Sequence, residues 1–276
     1  MASDFDPGPV AEPFAALARD YPDADVYPAD SFRVEWGPIF HRGRLDGSAR
    51  LLVIGQDPAA SETIVRRILV GVAGYRTQGL MEKLGIDRSY LLVNAFLYSV
   101  YGQRGGEHHA ADERIAAYRN RWLDAIFASN EIEAVLALGH LADAAWHAWR
   151  TTTNGGGHSP AYQHVTHPTQ PESSSGGDPA KLAAATEALL ANWNEALTHL
   201  HPLGRPDQPG PLVPYGTSFQ PHDLVAIPAR DLPAGLPEWM RSPQAWAVRA
   251  GTNAAAKRRN ITITIPASVL LRTDEG

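Results

Sequence analysis

A repeated rhythm constrains this chain more than anything else in it. A short apolar run is followed by a turn, and then by apolar residues three and four apart. Apolar runs at 50–54, 90–93 and 134–138 have the length of strands, the first bounded like a buried one, and 162–166 reads as a fourth strand. The segments between them read as helices. One covers 61–69, and a second ends near Leu84, where Gly85 takes the usual C-terminal glycine position. A third carries the stripe Ile115, Tyr118, Trp122, Leu123, Ile126 and Phe127, and a fourth spans 141–149. Asp178 caps a long fifth helix that starts with Pro179 and turns Leu182, Leu189, Trp193 and Leu197 inward. Residues 151–159 and 173–177 read as loops. Strand alternating with helix predicts an α/β fold, a three-layer α/β/α sandwich around a central four-stranded parallel sheet.

In such sheets ligands bind beyond the carboxyl ends of the strands. Three candidate side chains fall there: Asp57, Asn94 and His167. Gly55 allows close backbone approach before Asp57, and Pro58 stiffens the turn after it. Each residue alone has a plainer reading: a helix cap, a turn residue, a buried histidine. Together they make a stronger case, because the topology gathers three strand ends on one edge. His164 and His167 point apart on a strand end, so no metal site is expected. Residues 96–106 form a polar-aromatic loop containing Tyr98, Tyr101, Gln103 and Arg104, and His108–His109 reads as solvated.

The 276 residues include no cysteine, which excludes disulfides, thiolate zinc sites and cysteine-held iron–sulfur clusters. No run is long enough to span a bilayer, and the acidic start is unlike a secretory signal; a cytoplasmic location is expected. The net charge of −6 is unevenly spread. Residues 1–35 hold eight acids against two bases, whereas 241–272 hold six bases and no acid. A local basic face can bind phosphates whatever the global charge, with Lys257, Arg258 and Arg259 as its centre; a solvated surface is the plainer alternative. The chain divides into an acidic arm at 1–30, with a short helix at 14–19, and a main domain at 31–200. A proline-rich linker follows at 201–215, then a basic extension at 216–276 that packs on the main domain. In the extension, strands are predicted at 224–227 and 261–265 and a helix at 243–256.

Gly55-Gln56-Asp57-Pro58, then Leu91-Leu92-Val93-Asn94, then His167-Pro168-Thr169 resemble, in order and spacing, the motifs of the uracil-DNA glycosylase superfamily. The first matches G-Q-D-P-Y-H in four of six positions, and residues 69–74 are similar to the F-V-G-R-A-G of related families. The resemblance covers about residues 48–200. It implies a monofunctional glycosylase of base excision repair. Such an enzyme flips uracil out of DNA and hydrolyses its bond to deoxyribose, with no cofactor and no metal. By that resemblance Asp57 would stabilise the sugar cation and direct water, and His167 would donate a hydrogen bond to the departing base. Asn94 would read the base edge and the Gln56 backbone would meet a ring carbonyl. Gly55, Pro58, Ala59 and Leu69 would line the pocket, and Pro168, Thr169 and Gln170, with the basic cluster, would touch DNA.

The chain departs from the pattern at three places. Ala59 stands where a tyrosine usually excludes thymine, which implies a broader base range. Leu69 stands where a phenylalanine stacks on the base, so Tyr75, Tyr98 or Tyr101 are substitutes to consider. Gln170, Pro171 and Glu172 replace the usual leucine wedge, which favours single-stranded DNA. A monomer is the expected state. The alternative from another class is a lesion-binding protein of the same fold without turnover.

Overall fold

The computed structural model describes residues 8–101 and 106–265, apart from the side chains of Ala254 and Arg258. Of the loop at 96–106, Gln103 and Arg104 therefore lie outside the described residues, as does Arg272 of the basic stretch.

In chain order the elements are α1 (Phe14–Arg19), β1 (Arg42–Gly43), β2 (Leu51–Gly55), α2 (Ala60–Val65), α3 (Val72–Lys83), β3 (Tyr90–Asn94) and α4 (Glu113–Ser129). There follow β4 (Ala134–Leu138), α5 (His140–Arg150), α6 (Thr153–Gly156), β5 (Ala161–Val165), α7 (Gln170–Ser175) and α8 (Pro179–Leu200). The last are β6 (Ala247–Arg249), α9 (Ala254–Arg259) and β7 (Ile261–Ile263). The protein is α/β, with a five-stranded sheet in the order β1-β3-β2-β4-β5. The expected four strands run parallel, but the sheet is mixed, because β1 adds an antiparallel edge beside β3. A two-residue strand holding Arg42 and Gly43 carries no apolar run, so the sequence pattern does not reveal it.

Alternation along β2 sends side chains to two cores. Leu52 and Ile54 join Phe14, Ile115, Trp122, Ile126, Leu141 and Trp149 from α1, α4 and α5. Leu51 and Val53 join Leu80, Leu84, Leu189 and Trp193 from α3 and α8. Each fully buried aliphatic or aromatic side chain contributes about 1.5–3 kcal/mol, so these two clusters carry the fold. Asp178 caps α8 as expected, accepting from the backbone N–H of Ala180 and Lys181. Leu182, by contrast, is only partly buried.

Several local expectations are corrected. The helix expected at 61–69 stops at Val65, where Arg66 (φ 62°) and then Leu69 (φ 50°) take the left-handed conformation. Residues 173–177 are not all loop. Ser173, Ser174 and Ser175 donate their hydroxyls to the carbonyls of Gln170, Pro171 and Glu172, closing α7. Within 151–159, Thr152 caps the short α6.

Residues 224–227 form no strand, since Pro221 and Pro228 bracket them. The segment 243–256 holds β6 and the start of α9 rather than one helix. Trp246 and Ala247 are buried, Val248 points out, and Gly251 (φ 155°) breaks the chain before α9. The strand at 261–265 ends at Ile263.

The prolines at 202–214 mark a segment pinned to the main body. Asp207 accepts from the N–H of Asp87, Arg88 and Ser89, and Gln208 N–H donates to Gly85 O. Further on, buried Asp231 pairs with Arg42 and Arg44 and accepts from the Tyr90 hydroxyl. Ile227, Leu232 and Trp246 make a third core with Ala60, Val65, Val70 and Tyr75.

Candidate functional site at the strand carboxyl ends

Because β3, β2, β4 and β5 are parallel, Asp57, Asn94 and His167 all leave the sheet on the same edge. Gly55 pairs directly with Asn94 across β2 and β3. The Asn94 side chain folds over Gly55, where any Cβ would collide with Asn94 Oδ1. Leu69 Cδ1 would lie 3.7 Å from the same Cβ. A side chain at 55 would therefore displace the Asn94 amide, so the glycine makes space for that amide rather than a left-handed turn. Gly55, Asn94 and Leu69 form one compact wall. Asn94 Nδ2 is buried and has no hydrogen-bond partner among the described residues. Asn94 also lines a cavity of about 20 Å³ with Tyr27, Phe40 and Trp122, space for about one water.

Asp57 Oδ2 accepts the Val100 N–H at 3.1 Å. Burial pushes its pKa up, against that hydrogen bond and the charges of Arg249 and Arg33. Pro58 is buried and Ala59 exposed. The Gln56 side chain crosses to Gly139 at the end of β4, about 3.2 Å from where a Cβ would stand. Its backbone O accepts from Phe96 N–H, which ties the ends of β2 and β3.

His167 sits beyond β5, whose end α8 anchors: Trp193 Nε1 donates to Thr166 O at 2.9 Å, and Thr166 N–H donates to Asn192 Oδ1 at 2.8 Å. Thr169 N–H donates to His167 Nδ1 at 3.3 Å and the Thr169 hydroxyl lies 3.2 Å from the same nitrogen; the amide contact assigns the ring proton to Nε2. Burial lowers the His167 pKa to about 4. The ring is thus a neutral donor near pH 7. His164 is exposed. The loop after His167 is tied to α3, since Arg76 donates to Pro168 O and pairs with Glu172 at 2.7 Å. Leu69 lies just before α3, so the His167 loop and the Leu69 turn are both joined to that helix. Gln170 is exposed.

Four residues here were not singled out by sequence. Glu62 is buried and accepts from the N–H of Ala59 at 2.8 Å and of Leu69 at 2.6 Å, bracing both pocket loops. Burial, reinforced by Asp57, pushes its pKa up to about 8. Its position three residues after Ala59 was the available signal. Arg33, Ser99 and Arg249 surround Asp57's partner Val100, and nothing local in the sequence marks them. Of the aromatic substitutes, Tyr98 is buried in the core and donates to Pro22 O, Tyr75 belongs to the third core, and Tyr101 lies under Arg33. Lys257 and Arg259 are exposed on α9.

No protein-family model matches this chain, and no curated protein matches it. Among the described residues no helix is long and apolar enough to cross a membrane.

Proposed function

We propose that this protein is a monofunctional DNA glycosylase that removes uracil from DNA and leaves an abasic site for base excision repair. The fold is read as the three-layer α/β/α sandwich of that superfamily, the protein as a cytoplasmic monomer, and single-stranded DNA as the easier substrate. One observation carries the reading. A buried amide with an unpartnered donor (Asn94), a carboxylate (Asp57) and a neutral imidazole with its proton on Nε2 (His167) share one sheet edge.

In the proposed reaction the bond between uracil N1 and sugar C1′ breaks and its electron pair leaves with the base. His167 Nε2–H donates to the uracil oxygen that gathers this charge, without transferring its proton. A preorganised donor of this kind is worth about 3–4 kcal/mol in the transition state. Asp57 stabilises the oxocarbenium-like sugar and takes a proton from the water as its oxygen bonds to C1′, and that proton passes to solvent, where the released uracil anion is protonated. Asn94 offers a donor and an acceptor to the uracil edge. Cytosine carries the reverse pattern, so a buried amide discriminates by about 10⁴.

Gln56 supplies backbone at the base, while Leu69, held in a left-handed turn by Glu62, stands beside Gly55. Pro168, Thr169 and Gln170 line the entrance, and Lys257, Arg258 and Arg259 contact phosphates. With Ala59 exposed and small, 5-substituted uracils are admitted. The test is a panel of oligonucleotides containing uracil, mismatched thymine, hypoxanthine or xanthine, single- and double-stranded, cleaved with alkali after incubation. Alkali-labile sites at uracil are expected. Binding without any such site would favour the lesion-binding alternative.

A further inference from the structure

We propose that Arg249, delivered by the C-terminal hairpin, is a positioning residue for Asp57. This rests on the glycosylase reading. Asp57 Oδ2 is held by the Val100 N–H at 3.1 Å. The segment Ser99–Val100 is itself gripped from two sides. Arg33 donates to Ser99 Oγ at 3.2 Å and to Val100 O, and Arg249 Nη2 donates to Ser99 Oγ at 2.9 Å. A serine hydroxyl has two acceptor sites, so one oxygen serves both guanidiniums. Ser99 and Arg33 are buried. Two arginines more than 200 positions apart thus meet one residue before the amide that aims the carboxylate.

The hairpin is anchored for this task. Trp246, just before its first strand, and Ala247 within it pack with Ala60 and Val65 of α2, the helix that starts three residues after Asp57. The basic stretch reads from sequence as a DNA-facing surface, yet Arg249 is turned inward. The charges of Arg249 and Arg33 act to lower the Asp57 pKa, and Asp57 in turn raises that of Glu62. Burial favours the protonated carboxyl, and Arg249 opposes it. Arg249 thereby fixes the direction of Asp57 through Ser99, and its charge opposes the rise that burial imposes on the carboxyl. The extension is then part of the active site rather than an appendage.

The test compares wild type with Arg249→Gln, Arg249→Lys and Ser99→Ala, all as full chains with melting temperatures recorded. Single-turnover excision is followed from pH 4.5 to 8. Arg249→Gln is expected to slow the chemical step about 10- to 100-fold with KM within a factor of about two. It should also move the acid limb up by about one pH unit, the effect of losing a nearby opposite charge. Arg249→Lys should keep the limb near its wild-type position but not the full rate, because it lacks the fork. Ser99→Ala should slow the step with little movement of the limb, and it covers the case in which Arg249→Gln does not fold.

An unmoved limb combined with a raised KM and a flatter salt dependence would overturn the proposal and make Arg249 a phosphate contact. Wild-type rates in both Arg249→Gln and Ser99→Ala would also overturn it. A ¹³C carboxyl titration of Asp57 reads the same hold without turnover. If wild type excises nothing, the glycosylase reading fails, while an Arg249-dependent Asp57 pKa still supports this one.

Discussion

Replacing His167 by glutamine probes the charge state on which the mechanism turns. The ring accepts the Thr169 N–H at Nδ1, so its proton is on Nε2. Burial takes its pKa from the ordinary 6.5 to about 4. At about 1.4 kcal/mol per pH unit, that gap makes imidazolium about 3 kcal/mol less favourable in the folded protein than in the unfolded chain. The sign follows from proton binding. Between pH 6.5 and 4 the unfolded chain holds a proton that the native state does not, so stability falls as pH falls through that window and is unaffected above it.

His167→Gln is expected to remove up to about 3 kcal/mol of this acid sensitivity in urea titrations at pH 7 and pH 4. In single-turnover excision it should cost several hundred-fold, the worth of about 3–4 kcal/mol of lost donor stabilisation. The wild-type rate should show no decline as pH rises through 6.5, because a neutral donor has no proton to lose there. A ¹⁵N spectrum should show a bare Nδ1 and a protonated Nε2. Activity falling above pH 6.5 with a histidine titrating there, or a proton on Nδ1, would refute this reasoning.

Other outcomes are open to measurement. Gly55→Ala puts a methyl group against Asn94 Oδ1 and Leu69, so excision should fall by at least about 100-fold with a smaller loss of stability, read from kinetics and urea titration. Asp231→Asn leaves buried Arg42 without its anion, and a lower urea midpoint equivalent to about 3 kcal/mol is expected. Ala59→Tyr should abolish excision of 5-substituted uracils while sparing uracil, measured on paired oligonucleotides; equal loss on both would contradict the role given to Ala59.

Three of the parallel strands, β2, β3 and β4, were legible because each is a short apolar run followed by a helical stripe, a pattern that burial on both faces requires; β5, an edge strand in which only Val165 is buried, was legible from its place between two helices. That Asp57, Asn94 and His167 leave the sheet on one edge was legible for the same reason, since the topology puts strand ends together. The β1 edge was not, because Arg42 is buried through ion pairing with Asp231 rather than through apolar character. The C-terminal region was misread where proline and tertiary contacts decide the local structure. Its Ile227 and Trp246 complete a core whose other half lies around α2 and α3. Arg33 and Arg249 escaped notice because their significance lies in meeting at Ser99, which only folding creates. In sequence they are one of two bases in the acidic first 35 residues and one within a basic stretch.

The central claim is most directly tested by single-turnover incubation of wild type and Asp57→Asn with a single-stranded oligonucleotide carrying one uracil, followed by alkali. Wild type is expected to yield a strand break at the uracil and free base in equal amount, with Asp57→Asn slower by at least about 100-fold. An intact oligonucleotide with wild type, or equal rates for the two proteins, would contradict it.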